Sequence, residues 1–116
     1  MRYQTIFHMC KTNLLSNNSF GCITACQNRK HVQIGFGNLL ISLNHNEFSD
    51  FNRYISNLHQ KHFKEMKKGK KLFINTKTED LMIALNENEL GNLKNLLCEA
   101  SLMLEVEQLL NPIQNV

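Results

Sequence analysis

The sequence predicts an α+β protein in two layers, an antiparallel sheet of four to six strands with two long helices on one face. Three observations carry this. A stretch recurs 42 residues on: residues 39–55 and 81–97 share Leu39/Leu81, Ile41/Ile83, Leu43/Leu85, Asn44/Asn86, Asn46/Asn88 and Glu47/Glu89. Each copy then changes from the period of a half-buried strand to that of a helix, and the change falls at Asn-x-x-Glu. That tetrad is a capping box, in which Asn accepts from an early helical N–H and Glu reaches back to the cap's own N–H. Finally, Gly37-Asn38 fits a two-residue hairpin turn, with Gly supplying the positive φ.

At 116 residues, one domain is expected over residues 1–116. It divides into an N-terminal edge strand or loop (1–19) and two ββα units (20–66 and 70–110). Tyr3, Thr5, Phe7 and Met9 alternate as an edge strand would. Residues 12–19 are polar apart from Leu14 and Leu15 and read as a loop. Residues 20–26 and 31–36 read as strands around a turn at 27–30. A two-residue turn at Gly37-Asn38 pairs Phe36 with Leu39, Ile34 with Ile41 and Val32 with Leu43, six apolar side chains on one face.

The first helix is expected over about residues 46–66. Phe48, Phe51, Tyr54, Ile55, Leu58, His62 and Met66 form its stripe, and Lys67-Lys68-Gly69 ends it. A second hairpin joins residues 71–75 to 79–85, with Ile74 opposite Leu81 and Leu72 opposite Ile83. The second helix is expected over residues 87–110, stopped by Asn111-Pro112. Its stripe is Leu90, Leu93, Leu96, Leu97, Ala100, Met103 and Leu104. Leu102, Val106, Leu109 and Leu110 fall outside that stripe, so the last third needs cover from the N-terminal segment or a second subunit.

The string HVQIGFGNLLISL from His31 to Leu43, Glu47 with Phe48, and LNENE from Leu85 to Glu89 resemble an uncharacterised family of short bacteroidetal proteins. The resemblance spans roughly residues 20–110 and rests on packing and capping motifs. It implies a small cytoplasmic protein and carries no activity and no site residues.

Charge is unevenly spread. Residues 1–78 carry 12 basic and 3 acidic side chains, and residues 79–116 carry 1 and 7. Folding of one half onto the other accounts for this, as does head-to-tail or two-fold association. The N-terminus lacks the apolar core and cleavage site of a secretory signal, and no run approaches a membrane span. A cytoplasmic protein is expected, off the membrane, its four cysteines thiols or ligands rather than disulfides.

Cys22 and Cys26 lie about 13 Å apart on a straight strand, too far to share an ion. Cys26 and His31 are cross-strand neighbours, and His8 and Cys10 complete a zinc-type set of four if the N-terminal segment pairs alongside. The plain alternative is cysteines packed as small apolar residues, as for Cys98 on the second helix. The same Cys26–His31 pair has the residue types of a nucleophile and base, but no orienting group or oxyanion donor accompanies it, so no catalytic residue is assigned. His62 reads as a core histidine, His45 and His59 as exposed.

Lys61, Lys64, Lys67, Lys68, Lys70 and Lys71, with Arg29, Lys30 and Phe73, have the makings of a nucleic-acid-binding patch. Lysines at a helix end and in a loop are more usually just solvated, and the whole-chain pI is only moderately basic. The outer sheet face collects Cys22, Thr24, Cys26, His31, Gln33, Leu40, Ser42, Phe73, Met82 and Ala84, too apolar for an ordinary wet surface. The expected function is therefore non-enzymatic association, as a homodimer, through Leu102, Val106, Leu109 and Leu110 and through Leu40, Phe73 and Met82, with no cofactor. Nucleic-acid binding and zinc binding are the alternatives.

Overall fold

The computed structural model describes residues 12–26, 31–62, 72–76 and 80–110. Its elements are β1 (Thr12–Asn17), β2 (Gly21–Cys26), β3 (His31–Phe36), β4 (Leu39–Asn44), α1 (His45–His62), β5 (Leu72–Asn75), β6 (Met82–Leu85) and α2 (Glu87–Leu110). The protein is α+β. The six strands form two sheets, an antiparallel β1-β2-β3-β4 sheet and a separate β5-β6 ladder.

The central hairpin follows its turn. Gly37 has φ 55°, and β3 and β4 pair in the expected register. Ile23, Ala25, Val32, Ile34 and Leu43 point to one side and join a single buried cluster with Phe48 and Ile55 of α1 and Leu90, Leu93, Leu96, Leu97 and Ala100 of α2. Burying each of the Val, Ile, Leu and Phe side chains contributes about 1.5–3 kcal/mol before entropy is charged against it. Helix α1 packs on β3 and β4, α2 packs on β1 and β2, and the helices pack on each other.

Both helices start as expected. The Asn44 N–H donates to Glu47 Oε1 at 2.9 Å, and the Glu47 N–H donates to Asn44 Oδ1 at 2.8 Å. The Asn86–Glu89 pair repeats these bonds at the same two distances. Two otherwise orphaned N–H groups are satisfied at each start.

Residues 12–17, expected as loop, form strand β1. Pairing with β2 shifts register between Leu14 and Ser16, so Leu15 is an extra residue. Leu14 points out at 56% exposure while Leu15 and Ser16 are both buried. A bulge of this kind breaks the two-residue alternation that identifies a strand. The strand is held from a distance: Ser16 Oγ donates to the Leu96 carbonyl at 2.8 Å, and Asn18 Nδ2 to the Asn92 carbonyl at 3.3 Å. Asn18 Oδ1 also accepts from the N–H groups of Phe20 and Gly21, shaping the turn into β2. Gly21 is required there, because a Cβ would collide with the Gly35 carbonyl oxygen.

The second hairpin corrects the expected register by two residues, with Ile74 opposite Ile83 and Leu72 opposite Leu85. The Thr76 N–H and Oγ1 both donate to the Leu81 carbonyl, which closes the loop at that pair. A shift of two preserves which face each side chain takes, so Ile74, Ile83 and Leu85 are still buried.

These contacts orient the helices. Ser16 lies against Leu96 and Asn18 against Asn92, so α2 runs opposite to β1. Successive antiparallel pairings make β4 run opposite to β1 as well. Helix α1 leaves β4 through the Asn44 cap and folds back over it. The helices are therefore antiparallel, and Gly91 near the start of α2 faces His59 near the end of α1.

Candidate functional site

The stripe of α2 ends sooner than its periodicity implies. Leu104 packs on the core cluster, but Met103, expected inside, is exposed. Leu102, Val106, Leu109 and Leu110 are exposed by 63%, 45%, 82% and 73%. At about 100° per residue, the buried set Leu90, Leu93, Leu96, Leu97 and Ala100 covers one arc of roughly 120°. Leu102, Met103, Val106, Leu109 and Leu110 cover a second arc of similar width, centred roughly 140° away. This second stripe looks away from the core. Glu105 and Glu107 flank it on either side, exposed Glu99 heads it, and no basic residue stands in the last turn.

The outer faces of the sheets carry further apolar residues. Leu40, Phe73 and Met82 are all more than half exposed. Leu14 joins Leu40 on the outside of the four-stranded sheet, a member that the bulge conceals in the sequence. A concavity of about 440 Å³ at the end of that sheet is lined by Gly21, Cys22, Gly35 and Leu40 among others. A smaller one, about 270 Å³, lies between β4 and α1, lined by Leu43, Glu47, Asp50, Phe51 and Tyr54. Glu47 is engaged in its cap, and Asp50 lies 3.8 Å from Arg53. Neither lining pairs a nucleophile with a base.

Cys26 and His31 are cross-strand partners, as their spacing requires. Cys26 is nonetheless disulfide-bonded, which corrects the expectation of four free or ligating cysteines. Cys22 and Cys98 are free thiols, so the partner of Cys26 lies outside the described residues. A disulfide sulfur presents no thiolate. Cys26 can join His31 at a metal, or act as a nucleophile, only after reduction. His8 and Cys10 lie outside the described residues, and among those described no three His, Cys, Asp or Glu side chains are grouped to hold a metal ion. His45 and His59, expected exposed, are half-buried.

Of the basic set, Lys61 is exposed in the last turn of α1. Arg29, Lys30, Lys64, Lys67, Lys68, Lys70 and Lys71 lie outside the described residues, as do Met66 and the expected end of the helix there. Among the described residues no helix is long and apolar enough to cross a membrane.

These features define a small α+β protein whose most distinctive described surface is apolar. The chain belongs to a family of unknown function, DUF6686, whose model matches residues 9–113. No curated protein and no solved structure matches it.

Proposed function

We propose that this protein is a non-enzymatic, self-associating module. One observation supports the reading above the rest: the second apolar stripe of α2, on the face turned from its own core. Monomers seldom leave contiguous apolar patches open without using them. Burying a fully exposed leucine is worth about 1.5–3 kcal/mol, so a handful offsets much of the entropy of association. The exposed residues Leu40, Phe73 and Met82 offer further contact area.

Sedimentation velocity of the full chain over a wide concentration range tests this. The weight-average mass should rise above the monomer as concentration increases. Leu102→Glu with Leu109→Glu should return it to monomer while leaving the far-ultraviolet circular dichroism unchanged. A wild-type chain that stays monomeric at high micromolar concentration refutes the reading.

A further inference from the structure

The four-stranded sheet has two outer strands, β1 and β4, and the fold treats them differently. Strand β1 carries the bulge between Leu14 and Ser16, and Ser16 and Asn18 tie it to α2. Bulging and covering are usual ways of keeping an outer strand from pairing with other chains. Strand β4 has neither. Leu39–Asn44 pairs with β3 without a break in register and contains no proline and no charged residue. Among the described residues no strand lies on its other side.

The backbone groups left open there can be named. The residues flanking a two-residue turn exchange both hydrogen bonds, and such pairs then alternate along an antiparallel ladder. Phe36 and Leu39 flank Gly37-Asn38, so Leu39, Ile41 and Leu43 turn their N–H and C=O groups toward β3. Leu40, Ser42 and Asn44 turn theirs outward. The Asn44 N–H agrees, because it donates to Glu47 rather than to β3. That leaves Leu40 and Ser42 with outward N–H and C=O groups that no described strand engages. Open backbone groups on alternate residues are complementary to an extended chain.

What lies beside them sets the chemistry of that chain. The concavity of about 270 Å³ between β4 and α1 is lined by the apolar side chains of Leu43, Phe51 and Tyr54 and by two carboxylates, Glu47 and Asp50. Asp50 is loosely paired, with Arg53 at 3.8 Å and both side chains largely in solvent, so an incoming cation can compete for it.

We propose that β4 is a docking edge for an extended segment of another protein, one carrying an apolar and a basic side chain two positions apart. The segment adds a strand beside β4 through the backbone of Leu40 and Ser42. Its apolar side chain enters the concavity against Leu43 and Phe51, and its basic side chain meets Glu47 and Asp50. Side chains two apart on a strand share a face, which fixes the spacing. This goes beyond the self-association proposed above and involves a strand edge rather than the α2 stripe.

Fluorescence anisotropy of labelled synthetic peptides with the full chain tests the edge. The probe alternates threonine with leucine and arginine. One control is the same peptide N-methylated at every residue, which has no N–H to donate, and another carries glutamate in place of arginine. Wild type should bind the probe saturably. Ser42→Pro deletes one outward N–H at a place where an edge strand accepts proline, and it should weaken binding about tenfold, as should N-methylation of the peptide. Asp50→Lys, at an exposed position, should weaken binding of the arginine peptide and strengthen that of the glutamate peptide. Far-ultraviolet circular dichroism should be unchanged in both variants. Should Ser42→Pro fail to fold, the N-methylated peptide decides the same point. No saturable binding at millimolar probe, or equal binding of the N-methylated peptide, would overturn the proposal. A Ser42→Pro chain that loses self-association would show that the edge pairs with copies of this chain, and would overturn it as well.

Discussion

The β3-β4-α1 and β5-β6-α2 stretches begin alike and finish differently. Each places a hairpin ahead of an Asn-x-x-Glu cap, and the cap bonds match to the tenth of an ångström. Beyond the cap the surroundings diverge. The first hairpin is built into a four-stranded sheet, and among the described residues the second pairs with no other strand. Helix α1 has one apolar stripe, whereas α2 has two, facing different ways. The cap hydrogen bonding is thus the same in the two stretches, and the surface each leaves for other molecules is not. The difference shows that a matching local pattern guarantees a matching start, since caps involve four residues, while packing involves the whole chain.

Core substitutions test the sameness most severely. Ile55 and Leu97 occupy matching positions, and both are fully buried. Ile55→Ala and Leu97→Ala should each cost about 2–5 kcal/mol in urea unfolding followed by circular dichroism. Should either cost less than about 1 kcal/mol, the range of a surface change, the two helices do not share one core. The caps come next in size. Asn44→Ala and Asn86→Ala should each cost about 0.5–2 kcal/mol, and the two values should agree closely. A clear disagreement would show that sheet context, rather than the cap bonds alone, sets the strength of these helix starts.

The smallest effect sharpens the difference. Leu109→Ala removes the same atoms as Leu97→Ala, yet should change monomer stability by no more than about 0.5 kcal/mol. Its consequence belongs to association, as a fall in the mass measured by sedimentation. A stability loss comparable to that of Leu97→Ala, measured where the chain is monomeric, would mean that the tail is already covered within one copy.

Much of the fold could be read from short windows. The helix starts, the length of α2 and the β3-β4 register depend on residues within a few positions of one another, as did the recognition of Leu102, Val106, Leu109 and Leu110 as surplus to the first stripe. Strand β1 was hidden because its bulge puts Leu15 and Ser16 on one side, and because Ser16 finds its partner 80 residues away at Leu96. The β5-β6 register depended on the bond from Thr76 to Leu81, which hydrophobic alternation cannot signal, because a shift of two residues leaves the faces unchanged. The Cys26 disulfide is likewise something that cysteine spacing does not encode.

Sequence by itself determined where the helices begin, which side chains they bury first, and how unequally charge is spread along the chain. Each of these is a property of neighbouring residues, set by backbone bonds, side-chain period and composition. Only the tertiary structure decided that the β1 segment joins the sheet, that the hairpins belong to separate ladders, and that the acidic tail and Lys61 stand at opposite poles. Those outcomes depend on which distant surfaces meet, and the antiparallel packing of α1 and α2 on one sheet is what separates the two charges.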